Sequence, residues 1–176
     1  MRQLIVLMFI AVASFSVQAQ KFKGLDVSPL DKIQFPSDHG EAKTLLHVLY
    51  SRPQLKAREL TKLAPHGKIW RTGANEAVEI TFNVPMYLGE TAIPVGSYSL
   101  FTIPGESEWT VIINKATNIW GAYNYSADKD VVRMQVPVVQ TDQSLEAFSM
   151  AIEAIEEEIH LHIGWDTVRI SVPFRK

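Results

Sequence analysis

Val78-Glu79-Ile80-Thr81-Phe82-Asn83-Val84 alternates without exception, with apolar residues at 78, 80, 82 and 84 and polar residues between them. Successive side chains of a β-strand leave opposite faces, so this stretch predicts a strand with one buried and one wet face. Pro85 and Gly89 close it. On either side lie further runs of strand-forming residues, at 43–50, 97–103, 109–113, 131–136 and 168–172. Turn residues bound them, as in Ile93-Pro94-Val95-Gly96 and Ile103-Pro104-Gly105. Short strands at fairly even spacing, with no helices interleaved, predict an all-β fold. The expected form is a single antiparallel β-sandwich, or flattened barrel, of about eight to ten strands.

One segment resists that reading. Leu145, Phe148, Ile152, Ile155 and Ile159 fall at helical spacing, and the alanines and glutamates among them are good helix formers. Phe148, Met150, Ile152 and Ala154 also alternate, so periodicity alone leaves helix and strand both open.

The chain opens MRQLIVLMFIAVASFSVQAQ. Arg2, the apolar stretch from Leu4 to Val12 and the small-residue motif Val17-Gln18-Ala19 make up a secretory signal peptide cut after Ala19. The apolar run is too short to span a bilayer, and no cysteine follows it for a lipid anchor. The expected mature protein is therefore exported, periplasmic or extracellular, and free of the membrane. Cleavage leaves 157 of 176 residues, enough for one domain that buries about two-thirds of its unfolded surface. Residues 20–42, with Pro29, Pro36 and Gly40, predict an irregular N-terminal arm, and 43–176 a single β domain. Losing Arg2 takes the net charge from −2 to −3, which does not fit a nucleic-acid partner. Arg52, Lys56, Arg58, Lys62 and Lys68 cluster locally, but Glu59 interrupts them and they read as a solvated face. The absence of cysteine excludes thiol catalysis, disulfides and thiolate metal sites.

The densest polar sequence runs from Gly67 to Glu76 and holds Trp70, Arg71, Asn75 and Glu76. Trp and Arg together can stack on and grip a planar or anionic group. The same residues also suit a structural turn, in which Arg71 pairs with Glu76 or caps strand carbonyls. A second cluster, Trp120-Gly121-Ala122-Tyr123-Asn124-Tyr125, offers either sugar or peptide contact through Trp120 and Tyr123, or edge packing. His160 and His162 leave one face of a strand two residues apart. They lack a convincing third ligand beyond Asp166 and read as a solvent-facing pair, so neither a metal nor a cofactor is expected. No nucleophile elbow, phosphate-binding loop or dinucleotide fingerprint occurs. A site assembled across strands would leave no such local trace.

Taken together, several of these motifs resemble a known family. They are Ser51-Arg52-Pro53, the Trp70 to Ala77 segment, the run from Ile93 to Pro104, Glu108-Trp109 with Asn114-Lys115, and Trp120-Gly121-Ala122-Tyr123. The chain is similar, from about Leu45 to Pro173, to the bacterial exported domain-of-unknown-function family 2911. It departs from that family's pattern at Ala57-Arg58-Glu59-Leu60-Thr61-Lys62 and at His66, so no shared role is carried to the 54–66 loop. The resemblance implies closing strands at the C-terminus and so resolves residues 145–155 as strand. It implies no activity, and whether the chain is an enzyme stays open. The first expectation is an exported module that binds a glycan, peptide or small molecule through Trp70, Arg71, Asn75, Glu76, Trp120 and Tyr123. The alternatives are a structural or assembly partner in the cell envelope, and a hydrolase whose site is built across strands.

Overall fold

The computed structural model describes residues 21–37 and 43–176. The expected leader and its cleavage point lie outside the described residues. Two antiparallel sheets face each other. Six strands, β1 (Leu30–Phe35), β2 (Leu46–Ser51), β3 (Val78–Phe82), β6 (Gly96–Ile103), β7 (Glu108–Asn114) and β8 (Asp130–Pro137), form one sheet in the order β1-β2-β3-β6-β7-β8. The other runs β5-β4-β10-β9, from β4 (Met86–Leu88), β5 (Thr91–Ile93), β9 (Val139–Ile155) and β10 (Glu158–Arg175). The result is a sandwich, not a closed barrel, with ten strands among the described residues. Two short helical turns, Leu60–Leu63 and Ala127–Lys129, sit in connections. No helix among the described residues is long and apolar enough to cross a membrane.

The alternation in β3 does what its pattern requires. Val78, Ile80 and Phe82 are buried between the sheets, while Glu79 and Thr81 face outward and are partly exposed. β6 behaves differently, because both its faces are covered. Tyr98 and Leu100 join the inter-sheet core, whereas Phe101 packs with Ile112 and Ala77 in a smaller cluster on the outer face. Ile119, Ala122 and Tyr125, from the connection after β7, cover that second cluster. The outer face of the six-stranded sheet is thus only partly wet, and this is what leaves room for a walled cleft upon it.

Residues 145–155 are strand, and the two-residue period wins over the helical one. Phe148 and Met150 are buried and Ile152 packs against the same core, all from one face of β9. Ile159, which completed the helical pattern, lies beyond the Glu156-Glu157 turn on β10, opposite Ala154. Along β10 the buried positions are odd up to Trp165 and even from Ile170 onward. Asp166, with φ of 50°, breaks the extended backbone of β10 between these two stretches, and the pairing with β9 shifts register on each side of it.

Residues 30–35, expected within an irregular arm, instead form β1, fully paired with β2 from Leu30 opposite Ser51 to Phe35 opposite Leu46. Ile33 and Phe35 pack on the core from one face of this strand. Of the three apolar residues between Pro29 and Pro36, only Ile33 and Phe35 alternate, a pattern too short to stand out in the sequence.

His47, on the outer face of β2, carries a testable pH signature. Burial, and then the Lys32 charge, lower its pKa from the usual histidine value, against an opposing pull from Glu79. The unfolded chain therefore takes up this proton more readily than the native one. Stability is expected to be at its full value above about pH 6.5 and to fall as pH drops toward the lowered native pKa. Urea midpoints measured across that interval should decline in the wild type and decline less in His47→Gln. Parallel curves would remove His47 as a cause.

Candidate functional site

The turn after Gly67 is built from the sheet outward. Trp70 pairs with Thr102 of β6 through two backbone hydrogen bonds, of 2.8 and 3.0 Å, and so continues the line of β3. The hydroxyls of Thr72 and Thr102 then meet at 3.1 Å in the interior. Gly73 passes so close to β2 that a Cβ there would lie 3.0 Å from the Ser51 carbonyl oxygen, which explains a residue without a side chain. Asn75 follows at φ of 57°, in the left-handed region that Asn tolerates, and turns the chain away from the sheet.

The departing strand meets the second cluster. Ala77 N–H donates to the Ile119 carbonyl at 2.8 Å and Gly121 N–H to the Asn75 carbonyl at 3.0 Å, with Glu76 bridged to Trp120. Residues 75–77 and 119–121 therefore form a short ribbon standing on the outer face. Opposite it lies the segment before β1, where Ser28 N–H donates to the Asp26 carboxylate at 2.7 Å and Arg52 N–H to the Pro29 carbonyl at 3.0 Å.

Between these walls is a cleft of about 380 Å³. Leu49, Ser51, Glu79 and Ser99 form its floor on β2, β3 and β6. Asn75, Glu76, Asn118 and Ile119 line the ribbon side, and Asp26, Ser28 and Leu30 the other. Three carboxylates line it and, among the described residues, no Lys or Arg does. The Ser28 N–H first, and the Asn75 amide second, hold the Asp26 carboxyl below the usual carboxylate range. This acid stays ionised into mildly acidic solution.

The six residues expected to make a site divide. Asn75 and Glu76 line the cleft, and Trp120 follows the lining residue Ile119 and is 59% exposed. Tyr123 is exposed too, with its ring against Gly121, where a Cβ would lie 2.7 Å from it. Trp70 does not belong with them. It is buried at the centre of the sandwich, stacked on Trp165 at 5.7 Å and met edge-on by Trp109 and Phe148. The strand-like pairing with Thr102 turns its ring inward, so no ligand can reach it. Arg71 is half-buried and lies outside the cleft lining. It makes no ion pair with Glu76 among the described residues, and its Nε is buried there without a partner. The Arg71–Glu76 pair that a structural turn allowed is thus absent among the described residues, and the turn is closed by a backbone bond from Val78 N–H to the Arg71 carbonyl at 3.2 Å.

His160 and His162 stand on the outer face of β10 with rings 5.9 Å apart. His160 bonds Ser171 at 2.7 Å and Glu158 at 3.1 Å, and His162 faces Glu153 at 3.6 Å. No group of three ligating side chains is placed to hold a metal among the described residues.

The floor residues Leu49, Ser51 and Ser99 escaped the sequence reading, as did Asp26 and Ser28. Glu79 occupies an outward position of β3, whose inward positions were identified, and Leu49 and Ser51 occupy outward positions of the neighbouring β2. The signal was present as the wet half of the alternation, but only strand pairing brings those positions together.

The family model for proteins of unknown function designated DUF2911 matches residues 28–174. The chain belongs to that family. The DUF2911 match opens at residue 28, ahead of the expected Leu45, and so takes in β1 and every floor residue of the cleft. No curated protein and no solved structure matches the chain. The Ser51-Arg52-Pro53 segment acquires a physical role. Ser51 floors the cleft, while Arg52 reaches the Asp31 carboxylate at 3.0 Å, the Phe148 carbonyl at 3.1 Å and the Ser149 hydroxyl at 2.8 Å. That arginine ties the two sheets together beside the cleft.

Proposed function

We propose that this DUF2911 protein is an exported ligand-binding module whose ligand sits in the cleft on the outer face of the six-stranded sheet. One observation carries the reading. The cleft is concave, about 380 Å³ in volume, and combines apolar side chains with polar groups drawn from five separate segments. That is the size and make-up of a small-molecule site. Export rests on the leader-like sequence of residues 1–19. The intact mass of protein recovered from the periplasm or medium is expected to match a chain beginning at Gln20, and recovery of a chain still starting at Met1 would refute it.

Trp120 gives a direct assay for binding. It is 59% exposed, whereas Trp70, Trp109 and Trp165 are all 6% exposed or less. A ligand against the ribbon should change Trp120 emission and raise the melting temperature. Neutral oligosaccharides, short peptides and small amines form the probe panel. At least one class is expected to do both, with the emission change lost in Trp120→Phe. A panel in which every class leaves emission and melting unchanged would contradict the reading.

A further inference from the structure

Two features of the cleft floor point to the chemistry of the occupant. Ser51 and Ser99 are 4% and 2% exposed, yet both line the cleft. Neither hydroxyl makes a hydrogen bond among the described residues. Other hydroxyls of the same sheet find partners, as Thr72 does with Thr102 and Thr81 with Ser97. Neither hydroxyl oxygen is sealed off without a partner as Arg71 Nε is, so each is placed to accept a hydrogen bond from something that meets it. Here that something can only come from the cleft side.

Charge is the second feature, and it is independent of the first. Asp26, Glu76 and Glu79 line the cleft without a lining Lys or Arg. The Lys23 charge also acts on Asp26, but more weakly than the Ser28 and Asn75 hydrogen bonds. A concave surface of one sign between low-dielectric walls concentrates ions of the other sign and repels its own. Leu30, Leu49, Ala77 and Ile119 supply apolar contact between the polar groups.

From these features, and resting on the binding-module reading above, we propose that the cleft takes a small organic cation, a primary ammonium carried on a short apolar stem. An ammonium has three N–H donors and no acceptor. It matches a lining of carboxylates and serine hydroxyls, each of which can accept. The stem lies against the leucine and isoleucine side chains. A bare metal ion would leave most of a 380 Å³ cleft unfilled, and an anion would face three carboxylates.

Isothermal titration of the mature chain with 1,5-diaminopentane, 1,5-pentanediol and glutarate separates the classes by charge at nearly constant shape. The diamine is expected to bind and to weaken as salt rises, while the diol and the diacid give no heat. Glu79→Gln and Glu76→Gln, each checked for an unchanged melt, should each weaken the diamine at least about tenfold, the effect of one charge-assisted hydrogen bond. Two separate substitutions keep the test decisive should one of them fail to fold. Binding of the diol at equal strength, or a diamine affinity untouched in both variants, would overturn the cation assignment while leaving the binding module intact. Silence of the diamine together with the whole oligosaccharide and peptide panel would overturn both.

Discussion

Trp70→Ala is expected to lower the unfolding free energy by about 3–5 kcal/mol, the usual cost of deleting a buried large aromatic. For a chain of this length that corresponds to a fall in melting temperature of roughly 6–20 °C. Trp70 is 6% exposed and sits where the two sheets come closest in aromatic packing. Its ring stacks on Trp165 at 5.7 Å and 12°, and meets Trp109 at 5.9 Å and Phe148 at 5.3 Å edge-on. Phe148 and Trp165 are themselves in contact at 5.8 Å, so removing Trp70 opens a hole among three rings that cannot all close it. Trp70→Phe keeps an edge-on partner and should cost less. A melt for Trp70→Ala within about 1 kcal/mol of wild type would mean that this ring is a surface element after all.

The second large effect concerns the segment that roofs the smaller core. Asp130→Ala should cost about 2–3 kcal/mol, because hydrogen bonds to a charged acceptor are the strong ones and three converge here. The Asp130 carboxylate accepts from the Tyr125 hydroxyl at 2.6 Å, from Asn114 Nδ2 at 2.7 Å and from Arg133 Nε at 2.7 Å. Its side chain is only 10% exposed and Asn114 is 1% exposed, so water could do little to replace the lost bond, although Asn114 Nδ2 keeps the one it donates to the Ser126 carbonyl at 2.9 Å. Burial, and then Asp130, push the Tyr125 phenol up to about 12, which keeps it a donor at any ordinary pH. Tyr125 in turn packs edge-on against Phe101 at 5.1 Å. Loss of the carboxylate should therefore loosen residues 115–126 as well as lower the melt. Amide hydrogen exchange should quicken there and stay unchanged in β9 and β10. Tyr125→Phe, which leaves the other two bonds in place, should cost about 1 kcal/mol. Equal melts for Asp130→Ala and wild type would show that this network does not hold the roof.

Much of this architecture was legible because burial on one face writes a period of two into a strand. β3 is the clearest case, and the shorter runs around it were found through their turn residues. β9 was harder, since Leu145, Phe148, Ile152 and Ile155 satisfy a helix as well, and only the pairing with β10 excludes it. β1 was hidden by its prolines. The site was half legible. Asn75, Glu76 and Trp120 announced themselves as polar or aromatic residues beside a glycine turn, and they are neighbours in the fold. Trp70 looked equally available from sequence, because nothing local records that its backbone pairs with Thr102 and turns the ring inward. Ser51 and Ser99 were illegible for the opposite reason. Small hydroxyl residues carry no distinctive signal until the sheet order sets β2, β3 and β6 side by side.

The outer-face cleft as the place of binding is best tested by amide chemical-shift mapping of the isotope-labelled mature chain. The ligand added is the probe that raises the melt most. A second cleft of about 320 Å³, lined by Glu59, His66 and Asp166, provides an internal control, since it also carries acidic side chains. The account predicts saturable shifts at Ser51, Glu76, Glu79 and Ser99, with Glu59, His66 and Asp166 unmoved. Shifts that gather at Glu59, His66 and Asp166, with the floor of β2, β3 and β6 silent, would contradict it.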